Sequence, residues 1–198
     1  MSLKNLCPNC LEPSSTEPCS ECDWSSGDEP DNPNALPPGT LLDERFRLAK
    51  SLGQGGFGIT YLAFDETLEI RLAVKEYLPE DFAQRSRDNQ TVLPKSNNKE
   101  NFKFGLDRFL MEARMLARFI HHPGIVGVRD FFEENGTAYL VMEYVEGQSL
   151  KDYLAENDGQ LPWDKAVGIM IPVLDALRAV HQEIDPDGEP MLHRDIAP

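Results

Sequence analysis

The run LGQGGFGITYLA, residues 52–63, constrains this chain more than any other stretch. It holds Gly53, Gly55, Gly56 and Gly58 in a G-x-G-x-x-G frame, with Phe57 at its tip. A dinucleotide-binding turn sets such glycines between a strand and a helix. Here β-branched and aromatic residues, Ile59, Thr60 and Tyr61, follow the glycines, and the alternating RFRLAKSL precedes them. The pattern predicts two antiparallel strands joined by a glycine turn. Two readings stay open at this point. The glycines either make a tight hairpin, or they keep Cβ atoms away so that backbone N–H groups close over phosphates, with Phe57 capping the site.

The rest of the chain reads as α+β. RLAVKEYL (71–78) predicts a third strand, and residues 79–101 are polar and irregular and predict a loop. From Leu106, the apolar residues Leu106, Phe109, Leu110, Ala113, Leu116, Ala117 and Ile120 recur at helical spacing, and His122-Pro123-Gly124 ends that helix. IVGVRDFF (125–132) and TAYLVMEY (137–144) predict two more strands, joined through Asn135-Gly136, a strong hairpin signal. A second helix begins near Pro162 and carries Val167, Met170, Ile171, Leu174, Leu177 and Val180 on one face, with a kink expected at Pro172. There is no internal repeat.

All four cysteines lie in the first 22 of 198 residues, as Cys7-x-x-Cys10 and, eight residues on, Cys19-x-x-Cys22. Two such pairs can complete a tetrahedral S₄ zinc site. Disulfides suit an exported chain, and MSLKNLCPNC lacks the apolar core of a signal peptide. A redox CxxC belongs in a βαβ context that the pattern here lacks. Zn²⁺ is therefore the expected ligand. Some twenty residues cannot bury a core of their own, so the metal would supply the folding energy. The following stretch, rich in Pro, Asp, Ser and Asn, reads as a linker. The expected divisions are a zinc ribbon over 1–24, a linker over 25–43 and a larger domain over 44–198.

The formal net charge is -15, which disfavours nucleic acid as a general partner. No apolar run approaches the roughly 20 residues that span a bilayer. A cytoplasmic location is expected, with a membrane anchor possible only beyond residue 198.

Lys75 lies among apolar residues of the third strand, and Glu112 sits within about 60° of both Phe109 and Leu116 at about 100° per residue. Each alone has an ordinary reading, an edge lysine and a solvated glutamate. Together they suggest a half-buried pair, since each charge needs an opposite partner. The order of glycine turn, AVK, helix with an inward Glu, HHPGIV, VMEYVEGQSL and HRD resembles the protein-kinase signature set. GQGGFGITYLA followed by KEYLP is similar to the bacterial serine/threonine protein kinases. The resemblance covers residues 46–198 and implies a kinase-like fold. That fold has an N-lobe of antiparallel sheet with its αC helix, followed by the first helices of the C-lobe.

The resemblance also implies roles. Gly53, Gly55, Gly56, Phe57 and Gly58 would cover the ATP phosphates, and Lys75 would hold the α- and β-phosphates while held by Glu112. Leu52, Thr60 and Ala73 would line the adenine pocket, with Met142 at its back and the backbone of Glu143 and Val145 at the adenine edge. Asp195 would accept the proton of a protein substrate's hydroxyl, and Arg194 would pair with a phosphorylated activation loop, so that phosphorylation activates the protein. Two positions depart from the family pattern. Thr60 replaces the usual Val, and Ala197 stands where serine/threonine kinases usually carry Lys. The Asn and DFG Asp that hold Mg²⁺ in the family fall after residue 198. The expected function is ATP-dependent serine/threonine phosphorylation, with the 198 residues alone inactive. The alternative is a pseudokinase-like nucleotide-binding or scaffolding module.

Overall fold

The structure is a computed structural model that describes residues 5–184, 188 and 191. The strands are β1 (Leu41–Leu42), β2 (Phe46–Gly55), β3 (Gly58–Asp65), β4 (Ile70–Tyr77), β5 (Ala83–Arg85), β6 (Val92–Pro94), β7 (Val128–Glu134) and β8 (Thr137–Glu143). The helices are α1 (Lys99–Leu116), α2 (Leu150–Glu156) and α3 (Trp163–Gln182), with a 3₁₀ turn over Ala117–Phe119. The chain divides into two compact units, Met1–Ala117 with Val128–Tyr144, and Arg118–Gly127 with Val145–Pro198.

The first unit is built on a six-stranded antiparallel sheet in the order β1-β2-β3-β4-β8-β7. The expected strands are all present. Asn135 and Gly136 both have positive φ, 53° and 73°, as the tight turn between β7 and β8 requires. One face of the sheet packs α1. Tyr77 of β4 packs its ring, tilted, against Phe102 and Phe109 at ring-centroid distances of 5.3 and 5.5 Å. A Cβ on Gly105 would lie 2.0 Å from the Tyr77 hydroxyl oxygen, which explains a glycine inside a helix despite its cost of about 1 kcal/mol.

Residues 79–101 are more ordered than expected. β5 and β6 form a separate hairpin, and α1 begins at Lys99 instead of Leu106. The polar residues Lys99, Glu100, Asn101 and Lys103 hide the first helical turn, which is anchored through the buried Phe102. The helix also ends earlier than expected, at Leu116, and the 3₁₀ turn carries the chain to His122. Part of the segment read as a linker is core: Ala35, Leu36 and Leu42 are buried with the sheet residues.

At the end of the sheet, Asp65 is fully buried. Its carboxylate accepts from the backbone N–H of Thr67 and Leu68 and from the Arg45 guanidinium, with Nη2 at 2.7 Å. Burial alone would raise its pKa, but Arg45 and the two backbone donors outweigh it and hold the carboxyl below its usual value. A carboxyl depressed in the folded state stabilises above its unfolded pKa, and that stabilisation is lost as pH falls through the folded one. Asp65→Asn is therefore expected to lower the thermal midpoint at neutral pH. It should also show a smaller further fall than the parent between about pH 5 and pH 2. Parallel melts across that range check this.

In the second unit, Ser149 caps α2 by accepting from the Asp152 N–H at 3.1 Å. The sequence pattern did not single out this short helix, whose seven residues hold no buried side chain. α3 runs from Trp163 to Gln182 with Pro172 inside it. Gly124 lies against α3, where a Cβ would meet Ala176 Cβ and the Pro172 carbonyl oxygen, each at 3.2 Å. The apolar face expected on α3 is thus split. Val167, Leu177 and Val180 are half-buried, whereas Met170, Ile171 and Leu174 are exposed. Among the described residues, no helix is long and apolar enough to cross a membrane.

Candidate nucleotide site and cysteine centre

Cross-strand register places the glycine turn and the lysine together. Gly53 stands opposite Thr60, Thr60 opposite Lys75, Leu62 opposite Ala73, and Ala73 opposite Met142. Directly paired residues share a face, as do alternate residues of one strand. Thr60, Leu62, Ala73, Lys75 and Met142 therefore line one face of the sheet beside the turn. The register shift between Ser51 and Gly53 makes Leu52 the extra residue of a bulge, where it is 41% exposed. Glu143 ends β8, and Val145, in the second unit, is exposed.

The four glycines are not equivalent. Gly58 has φ 150°, and a Cβ there would lie 1.8 Å from the Glu76 carbonyl oxygen. The fold itself demands glycine at this position. At Gly53, Gly55 and Gly56 φ is not positive, and an added Cβ would meet nothing within 4 Å. No described contact requires glycine at these three. Phe57 is 68% exposed at the tip. Gly58→Ala is expected to destabilise the protein by about 1–3 kcal/mol, the scale of strained-backbone penalties. Gly55→Ala should change stability by less than about 1 kcal/mol. Urea titrations of the two variants check the contrast.

Lys75 is half-buried, and its Nζ lies 5.9 Å from the centroid of the Phe109 ring. It does not pair with Glu112, which is exposed on α1. The wheel explains this. Burial on α1 is strongest at Ala113, flanked by Phe102, Phe109 and Leu110, and Glu112 stands about 100° around the helix from Ala113. Nearness to Phe109 and Leu116 placed it at the margin, and the margin faces water.

The buried charge is its neighbour Glu76, completely enclosed. Arg85 of β5 donates to both its oxygens, Nη2 to Oε2 at 2.6 Å and Nη1 to Oε1 at 3.1 Å. The Tyr61 and Tyr139 hydroxyls donate to Oε2 at 2.8 Å and Oε1 at 3.1 Å. Burial, and then the Glu76 charge, push both tyrosine pKa values up. Burial opposes the Arg85 charge, yet its bonds to Glu76 hold that pKa above the ordinary value. Arg85 also donates to the Asn34 carbonyl, and the Leu36 N–H donates to the Tyr61 hydroxyl. The only sequence signal for this network was a second charge beside Lys75 in an apolar strand.

The four cysteines converge as expected. All their sulfurs lie within 4.8 Å of one another, with Cys7–Cys22 at 3.7 Å and Cys10–Cys19 at 3.9 Å. The cysteines are free thiols and form no disulfide. A tetrahedron with Zn–S bonds of about 2.3 Å has S–S edges of about 3.8 Å. The spacing and the all-sulfur donor set thus fit a metal of that kind. Burial pushes the Cys10 thiol up to about 12, whereas the Glu21 N–H lowers Cys19 to about 6. His193, Arg194 and Asp195 lie outside the described residues.

An antiparallel sheet with a glycine turn, a lysine on the third long strand and a long helix packed beneath is the architecture of a protein-kinase small lobe. The protein kinase domain family matches residues 46–198, and the chain belongs to that family. It is 32% identical over 162 residues to the serine/threonine-protein kinase pkn2 of Myxococcus xanthus, covering 82% of this chain and 16% of that protein. It is 34% identical over 160 residues to the serine/threonine-protein kinase PrkC of Bacillus subtilis, covering 81% and 21%. Among solved structures, the apo form of PpkA-294 aligns with TM-score 0.73 and 37% identity, over 83% of this chain and 56% of that one. The Mycobacterium tuberculosis PknI kinase domain aligns with TM-score 0.60 and 26% identity, over 83% and 55%. The chain therefore spans about a fifth of these curated relatives' length.

Proposed function

We propose that this chain is the nucleotide-binding part of an ATP-dependent serine/threonine protein kinase that transfers the γ-phosphate to protein hydroxyls. One observation carries the reading. Gly53, Gly55 and Gly56 leave the turn bare where no described contact asks for it, and Thr60 beside the turn pairs directly with Lys75 of β4. A bare backbone there admits phosphate oxygens to the N–H groups, and Lys75 supplies the neutralising charge. Thr60, Ala73 and Met142 would meet the adenine, with Leu52 at the bulge beside them and the backbone of Glu143 at the adenine edge. Asp195 is assigned as the group that accepts the substrate's proton. Bound Mg²⁺ would neutralise the phosphates during transfer. Glu112 is assigned no contact with Lys75 in the conformation described. The matching serine/threonine kinases support the substrate class.

The test uses the protein expressed from its whole gene, with radiolabelled ATP, Mg²⁺ and a generic protein substrate. Label on serine or threonine supports the reading. ATP binding without transfer turns it toward a pseudokinase-like module, and absence of ATP binding rejects it.

We assign the cysteine centre to Zn²⁺. Protein purified without added metal is expected to carry about one zinc per chain and to release it as pH falls, because protons compete for the thiolates. Elemental analysis of the parent and of Cys19→Ser checks this, and zinc content unchanged by the substitution would reject the assignment.

A further inference from the structure

The cysteine segment is docked on the face of the sheet that carries the candidate nucleotide site. Leu11, 1% exposed, packs with Ala49, Leu62 and Phe64, and Leu6 and Tyr144 close around them. The Leu11 carbonyl accepts from Arg71 Nη2 at 2.7 Å, and the same nitrogen pairs with Glu12 at 3.0 Å. The Lys50 N–H donates to the Asn9 carbonyl at 2.9 Å. Leu62 is the shared residue. It stands two positions from Thr60 on the same face of β3 and directly opposite Ala73. The row that Leu11 covers is thus next to the row formed by Thr60 and Lys75.

The chain following the cysteines reaches the glycine turn itself. Asn32 Nδ2 donates to Gln54 Oε1 at 2.5 Å, between Gly53 and Gly55. Gln54 Nε2 and Asn34 Nδ2 both donate to Glu80 Oε1, at 2.7 and 2.6 Å. Besides its ladder with β3 and the Leu78 N–H bond to the Phe57 carbonyl, the turn is tied at the Gln54 side chain by this strap.

We propose that the cysteine segment is a metal-dependent brace, which holds the glycine turn and the Leu62–Ala73 row in their binding geometry and raises nucleotide affinity. The proposal rests on the nucleotide reading given above. Its physical basis is the poverty of the segment's own core. The small apolar cluster of the cysteine centre comprises Cys7, Cys10 and Cys19, with the partly buried Cys22 and Trp24 beside it. Leu6 and Pro13 form an isolated β-bridge within the segment. Such a segment folds on its ligand. Without it, only the Arg71 and Lys50 hydrogen bonds hold Leu11 over Leu62 and Phe64, and the strap from Asn32 is held only at its Asn34–Leu36 end.

The test uses the whole chain, in zinc-loaded and chelator-stripped forms. Leu11→Asp and the milder Leu11→Ala keep all four cysteines, and Gln54→Ala cuts the strap. Hydrogen exchange over residues 46–65 is read first, without nucleotide, and ATP affinity is then titrated. Stripping the metal should speed exchange in β2 and β3 and weaken ATP binding by about 5- to 150-fold, the usual range of coupling between sites. Leu11→Ala should do the same while retaining its zinc. Gln54→Ala should weaken ATP binding and leave exchange in β3 unchanged. Unchanged exchange after stripping overturns the brace, and so does unchanged ATP affinity in stripped protein. If zinc-loaded protein binds no ATP, the nucleotide reading fails, and the exchange measurement still decides whether the sheet is braced.

Discussion

Arg85→Met is expected to destabilise the folded chain by about 3–5 kcal/mol, the cost of leaving one member of a buried ion pair uncompensated. Glu76 is wholly enclosed and takes four hydrogen bonds, two of them from Arg85. Without the guanidinium, two tyrosine hydroxyls remain to face a full charge in a site that water does not reach. Arg85 also ties three separate pieces together, since it bonds the Asn34 and Gln90 carbonyls as well as Glu76. The double variant Glu76→Met with Arg85→Met should recover much of the loss, because an apolar pair of similar volume carries no desolvation penalty. Urea unfolding at neutral pH measures both. A loss below about 1 kcal/mol in the single variant would mean that the pair behaves as a solvated surface bridge, whose contribution is of that size.

Lys75→Met should act on chemistry and spare the fold. Lys75 is half-exposed, and no described carboxylate depends on it, so the unfolding midpoint is expected to hold within experimental scatter. Phosphate transfer by the protein from its whole gene should fall by about 10²–10³-fold, the loss typical of removing one preorganised donor to developing charge. The Arg85 and Lys75 variants thus make a matched contrast within one compact unit, large in stability for the first and large in turnover for the second. Transfer within threefold of the parent, in Lys75→Met that is folded and zinc-loaded, would remove Lys75 from its assigned role.

Much of the first unit is legible in the order of residues. Alternation in RFRLAKSL located β2, and apolar runs rich in β-branched and aromatic residues located β3, β4, β7 and β8, because each of these strands is long enough to stand out from its turns. Asn135-Gly136 announced its hairpin because few other residues tolerate positive φ. The convergence of the four cysteines was legible for a similar reason: two CxxC pairs eight residues apart can close on one point, where their sulfurs lie within 4.8 Å of one another. The three-residue strands β5 and β6 and the seven residues of α2 are too short to show a period, and they escaped.

What the sequence by itself determined was therefore the strand order of chemistry: the glycine turn, the lysine after it, and the cysteine pairs ahead of both. Only the tertiary structure decided which charges are buried. Lys75 and Glu112 looked like partners, yet the bond is made between Glu76 and Arg85, nine residues apart across a turn that the pattern read as loop. Helix rotation puts Glu112 in water, and the β5–β6 hairpin carries Arg85 to Glu76 on the sheet face opposite Lys75. Likewise, nothing local to Leu11 says that it covers Leu62. A side chain's own neighbours set its conformation, but its dielectric surroundings are set by whatever distant segment packs over it, and that is a property of the folded chain alone.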